Sequence, residues 1–87
     1  MTQRMEKHYR KAIAYAAENI EPFEIDYVVG SMERYHCPAY LVNGTCQNAI
    51  DYLNEYASDN DIPEEFWTDD HDDDDIIYDI YDLIHAE

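Results

Sequence analysis

Carboxylates carry most of the chemistry available to this chain. Asp72, Asp75, Asp79 and Asp82 step by three, four and three residues, a spacing that lines side chains along one helix face with neighbours about 5–6 Å apart. Seven acids fall between Asp72 and Glu87, a stretch of about 24 Å as helix. One charge per roughly 3.4 Å matches the axial spacing of phosphates along one DNA strand. Such a row can stand in for phosphates opposite Lys and Arg. Asp69, Asp70 and Asp73 belong to the same track, and Asp59, Asp61, Glu64 and Glu65 extend it upstream. Tyr78 and Tyr81, set among these acids, are placed to contact arginine side chains. These thirteen positions are the candidate partner-binding residues.

Other chemistries find little support. The chain has no glycine loop to cradle phosphate, no nucleophile elbow and no His-Glu-x-x-His helix, so a non-enzymatic role is expected and no catalytic residue is assigned. His36 beside Cys37 does not make a nucleophile and base pair, because adjacent side chains do not face each other. A calcium loop starting at Asp59 would have Asp61 third, but Pro63 falls fifth and Glu64 takes the place of the turn glycine. His36, Cys37, Cys46 and His71 have unusual spacing for zinc. No dedicated metal site and no cofactor are expected, beyond loose association of divalent cations with the Asp run. Cys37 and Cys46 are expected to be free, partly buried thiols in a reducing compartment.

Eighty-seven residues allow one small domain. Its 21 acids against five Lys and Arg give a net charge of −16, which excludes direct binding to DNA, RNA or an anionic membrane by repulsion. Folding is expected despite the charge, since 46% of residues are hydrophobic and nine are tyrosine, unlike charged disordered chains. No apolar run can span a bilayer and Met1 to Arg10 is unlike a secretory signal. A soluble, cytoplasmic protein follows as the expectation. The charge is also lopsided: residues 1–40 hold six acids against five bases, whereas residues 41–87 hold fifteen acids and no Lys or Arg. Solubility needs a net charge of only about 2–8, and the excess costs stability through self-repulsion. It asks for a functional explanation.

The elements that must hold this row are helical. Met5, Tyr9, Ala12, Ile13, Ala16 and Ile20 recur at three- and four-residue steps, predicting a helix over residues 2–19. Ile25, Val28, Val29, Met32 and Tyr35 predict a second over 23–36, ended by Pro38. Asn43-Gly44 marks a turn and Thr45 an N-cap for a third helix, with Ala49, Ile50, Leu53, Tyr56 and Ala57 inside and Ser58 to Asp61 breaking it. Pro63, Glu64 and Glu65 suit the start of a short helical turn. The last helix is predicted over 72–86, with Ile76, Ile77, Ile80, Leu83 and Ile84 inward. Thr68 to Asp75 reads as loop passing into helix cap. Tyr9, Tyr35, Tyr52 and Tyr56 are assigned to the core, as is Trp67 in preference to a partner anchor. The fold class is therefore all-α with about four helices; the alternative is α+β with one or two short strands in 23–42, at Ile25 to Val29 and Ala39 to Val42.

In size, acidity and clustered Asp and Glu beside aromatics, chiefly over residues 51–87, the chain resembles the small acidic DNA-mimic inhibitors of phages and mobile elements, of the antirestriction and anti-CRISPR type. The resemblance is to a group and involves no aligned motif. It implies a basic nucleic-acid-binding partner in a bacterial host cell, such as a CRISPR effector or a restriction enzyme, blocked because its DNA groove is filled. The competing expectation is an acidic adaptor, antitoxin-like or chaperone-like, that binds a basic protein without imitating nucleic acid. A halophile's solvated domain would not leave residues 1–40 nearly neutral. Monomer and homodimer both fit, the latter through an apolar patch in the nearly neutral half.

Overall fold

The computed structural model describes residues 2–86; Met1 and Glu87, the last acid of the predicted row, lie outside them. Helix α1 spans Gln3–Asn19, α2 Pro22–Tyr35, α3 Thr45–Asp59 and α4 Asp73–Ile84, with a short 3-10 turn at Ala39–Leu41. The fold is all-α, and no strand occurs among the described residues. Ile25 to Val29 is helical because Ile25, Val28, Val29 and Met32 bury one stripe of α2, and Ala39 to Leu41 closes as a 3-10 turn rather than extending.

Local chemistry sets the boundaries. The Thr2 hydroxyl accepts from the Met5 N–H at 3.1 Å and starts α1. Pro22 occupies the first turn of α2, where its missing N–H costs nothing. That helix stops at His36, in the left-handed conformation with φ 54°, two residues before the proline expected to end it. Thr45 is not an N-cap. Gly44 holds that position, Thr45 is the first helical residue with its side chain buried, and the Asn43 side chain accepts the Thr45 N–H at 2.8 Å. Helix α3 continues through Ser58 to Asp59, so the polar run predicted to break it starts two residues too early. A turn does follow Pro63, residues 64–70 running as consecutive turns, but it does not continue as a helix. Glu65 sits at φ 56°, which stops helical propagation, and its N–H donates to Asn54 Oδ1 at 2.9 Å instead.

Helix α4 packs against α1, α2, α3 and the 3-10 turn, while α1 also packs along α3. The most acidic helix is thus, with α3, one of two that pack against every other element. Ile76, Ile77 and Ile80 are fully buried, each contributing about 1.5–3 kcal/mol. Like-charge pairs on the outer face cost only a few tenths of a kcal/mol each, so burial wins and the helix stays folded. Trp67 is a core residue, 2% exposed, with Phe66 packed edge-on at 5.3 Å. Two predicted core residues lie outside. Tyr35 is 66% exposed because it ends α2 at the margin of the buried stripe and His36 turns the chain away. Leu83 is 45% exposed, lining a groove between α1 and α4 that neither helix covers.

Candidate functional site

With the isoleucines of α4 turned inward, the three- and four-residue steps send Asp75, Asp79 and Asp82 to the opposite side. Asp75 and Asp82 are exposed and Asp79 is half-buried. Asp72 precedes them as the N-cap. Its Oδ1 accepts the Asp75 N–H at 2.8 Å while Asp75 Oδ2 accepts the Asp72 N–H at 3.2 Å, a reciprocal capping box. Two members of the row therefore also terminate the helix. With Asp75, two further aspartates in the first turn, Asp73 and Asp74, lie where the helix dipole favours negative charge.

Asp79 faces α1. It accepts a hydrogen bond from the buried Tyr9 hydroxyl, and the His71 ring stacks on Tyr9 with centroids 3.9 Å apart and planes 3° from parallel. His71 Nε2 lies 3.7 Å from Glu6 and Nδ1 lies 4.0 Å from Asp79. Arg10 reaches Glu6 at 3.8 Å. These groups and Asp82 border an open groove of about 410 Å³. Burial, then the hydrogen bond to Asp79 and the charges of Asp79, Asp75 and Glu6, push the Tyr9 phenol far above the ordinary tyrosine range.

The remaining candidates fall into three places. Asp73 and Asp74 are half-buried on the side of the 3-10 turn. Asp74 Oδ1 accepts the Ala39 N–H at 2.9 Å, and burial followed by the charges of Asp73 and Asp74 pushes the Cys46 thiol up to about 11. Tyr78, 36% exposed, looks toward Glu33 and Asp74, and burial together with those two charges raises its phenol. Tyr81 is half-buried against the core, with the His85 ring 4.3 Å away. His85 in turn meets Asp26 at 2.7 Å. Asp59, Asp61, Glu64, Glu65, Asp69 and Asp70 are all exposed, at the end of α3 and in the turns that lead to α4.

Sequence reasoning missed part of the acidic surface. Asp51 and Glu55 precede the predicted Asp59 at four-residue steps on α3, all three exposed. Glu55 accepts the Tyr15 hydroxyl at 2.5 Å, and that hydrogen bond raises the Tyr15 phenol to about 12, with burial and the Glu55 charge adding to it. Their spacing is the signal already used for α4; the density of the Asp run hid it. Glu6 was missed too, because its neighbours His71 and Asp79 are far away in sequence.

Chemically, the surface from α3 through the turns to α4 is a set of hydrogen-bond acceptors with fixed negative charge on ordered backbone. Among the described residues no group of three or more His, Cys, Asp or Glu is arranged to hold a metal ion, and no helix is long and apolar enough to cross a membrane. No protein-family model, no curated protein and no solved structure matches the chain.

Proposed function

We propose that this protein is a non-enzymatic inhibitor that mimics DNA and fills the basic nucleic-acid-binding groove of a bacterial defence nuclease complex, a CRISPR effector or a restriction enzyme. The observation that supports this reading best is the exposed acidic surface running from α3 to α4 on ordered elements, in a half of the chain without a single Lys or Arg. Charge held on a folded scaffold meets a cationic groove without the ordering cost that a disordered acidic tail pays on binding. Asp75 and Asp82, with Asp59, Asp61, Glu64, Glu65 and Asp69 alongside, supply carboxylates to Arg and Lys of the groove. Asp72 adds charge while capping α4. Asp79 serves from the edge of the row, held by Tyr9.

Immobilised protein incubated with bacterial lysate should retain a basic nucleic-acid-binding protein that elutes with rising salt and is displaced by duplex DNA. Retention of the captured protein in excess DNA would replace this reading with that of an acidic adaptor.

A further inference from the structure

The outer face of α2 has a symmetry that the monomer uses only in part, through the contact of Asp26 with His85 and the stacking of Arg34 over Tyr35. Asp26, Tyr27, Gly30, Ser31, Arg34 and Tyr35 line one groove of about 320 Å³. Reversing their order exchanges Asp26 with Tyr35, Tyr27 with Arg34, and Gly30 with Ser31. Each exchanged pair is complementary: a carboxylate with a phenol hydroxyl, a ring face with a guanidinium, one small residue with another. We propose that α2 is a homodimer interface, in which two copies pack their α2 helices antiparallel about a two-fold axis between Gly30 and Ser31. In that register Arg34, which lies 5.5 Å from its own Tyr35 ring in the single chain, moves onto the partner's Tyr27; Asp26, whose Oδ1 meets His85 Nε2 at 2.7 Å, takes the partner's Tyr35 hydroxyl on Oδ2, and the two glycine-serine pairs let the backbones approach. Such a surface is isologous and closes at two copies.

Three independent observations support a second copy as the occupant. The first is Gly30 itself. Glycine inside a helix costs roughly 0.5–1 kcal/mol relative to alanine, yet Gly30 has no positive φ, and a Cβ there would meet nothing within 4 Å. The monomer gives no reason for it, whereas a close helix crossing does. The second is area. Phe23, Tyr27, Tyr35 and Leu41 are 69, 61, 66 and 62% exposed. Tyr27, Tyr35 and Leu41 share a neighbouring cavity, and Phe23 lies one turn before Tyr27. At roughly 150–250 Å² per aromatic side chain they present on the order of 500 Å². That is near the upper end for a monomer's largest apolar patch, and a large part of the ~800 Å² per partner in a standard interface. The third is charge. Asp26 and Arg34 cancel across the groove, so two chains of net charge −16 can meet here without setting the acidic half of one against that of the other. This inference is independent of the inhibitor reading.

Sedimentation equilibrium of the full chain and its Gly30→Leu and Tyr27→Ala variants, at about 0.1 M and about 0.5 M NaCl, tests it. The wild type should have twice the 10.3 kDa chain mass, and its association should tighten with salt as screening relieves repulsion between the copies. Gly30→Leu should weaken association at least about tenfold, or 1.4 kcal/mol, with helix content unchanged or higher. Tyr27→Ala should weaken it in the same direction. A wild type of 10.3 kDa at every concentration, or unchanged association in both variants, would overturn the proposal. So would association that weakens with salt, the signature of the α1 bases Arg4, Lys7, Arg10 and Lys11 docking on an acidic face of the next copy.

Discussion

At the scale of single residues, the acids of α4 differ in what they do for the fold. Asp79 satisfies the hydroxyl of Tyr9, a side chain only 3% exposed, and leaving such a group unpaired costs about 1–3 kcal/mol. Asp79→Ala should therefore lower the stability measured by urea unfolding by roughly that amount, and Asp79→Asn, which keeps an acceptor, by less. Asp82→Ala, on the exposed face, should stay within about 0.5 kcal/mol of wild type. The tyrosines give a second expectation, on the alkaline side. Tyr9 and Tyr15 ionise at higher pH in the folded chain than their ordinary 10.0, and Cys46 higher than its ordinary 9.0. Raised values of this sign contribute stability that is fully present below the ordinary value and is lost as pH rises through the folded one. Unfolding free energy should begin to fall near pH 9 and fall more steeply above pH 10, and Tyr9→Phe should flatten the steeper part. A profile unaffected by Tyr9→Phe would show that the burial of this phenol has been overstated.

At the scale of elements, α4 has to be a helix before it can be a row of charges, and Asp72 serves both ends. Asp72→Ala removes the cap and should cost about 0.5–2 kcal/mol, whereas Asp72→Ser removes the same charge and keeps a capping oxygen, so its melting temperature should stay close to wild type. Both should weaken binding to a basic groove equally if the charge is what the partner reads. The spans of α1, α2 and α4 are legible from apolar periodicity because each helix has one buried stripe, and the predicted ends fall within two residues of those in the structure. Ends that depend on competition between neighbours are not legible: Gly44 takes the N-cap position expected of Thr45 while the Asn43 side chain accepts the Thr45 N–H, and the left-handed Glu65 keeps the turn after Pro63 from growing into a helix. Tyr35 and Leu83 carry the right spacing for burial, but whether an edge position is covered depends on the neighbouring helix. The cluster of Glu6, Tyr9, His71 and Asp79 spans more than seventy residues of chain, beyond the reach of any local pattern. The Asp75, Asp79 and Asp82 row is the reverse case, since its common face follows from helical geometry alone.

At the scale of the whole molecule, a net charge of −16 on a chain with a radius of gyration of 12.4 Å means that every acid is within reach of others at low ionic strength, where the Debye length is about 30 Å at 0.01 M salt and about 8 Å at 0.15 M. Thermal unfolding should consequently shift upward as NaCl is raised through this range. A melting temperature that falls with salt would mean that attractive pairs, and not self-repulsion, dominate the electrostatics of the fold. The same screening acts in the opposite direction on binding to a cationic groove, so fold stability and partner affinity should respond to salt with opposite signs.

Under the proposed function, ordered carboxylates on α4, and not acidity in general, are what a basic groove recognises. The measurement that tests it most directly is the salt dependence of the dissociation constant for the captured partner, compared between wild type and two triple variants. Asp75→Asn, Asp79→Asn and Asp82→Asn together remove three charges from the row and keep side-chain size; Glu18→Gln, Glu21→Gln and Glu33→Gln remove three exposed charges from the nearly neutral half. The aspartate triple should weaken binding strongly and flatten the slope of log Kd against log salt, because fewer ion contacts form, while the glutamate triple should leave both close to wild type. Equal losses and equal slopes in the two triples would contradict it, because net charge alone would then explain the binding.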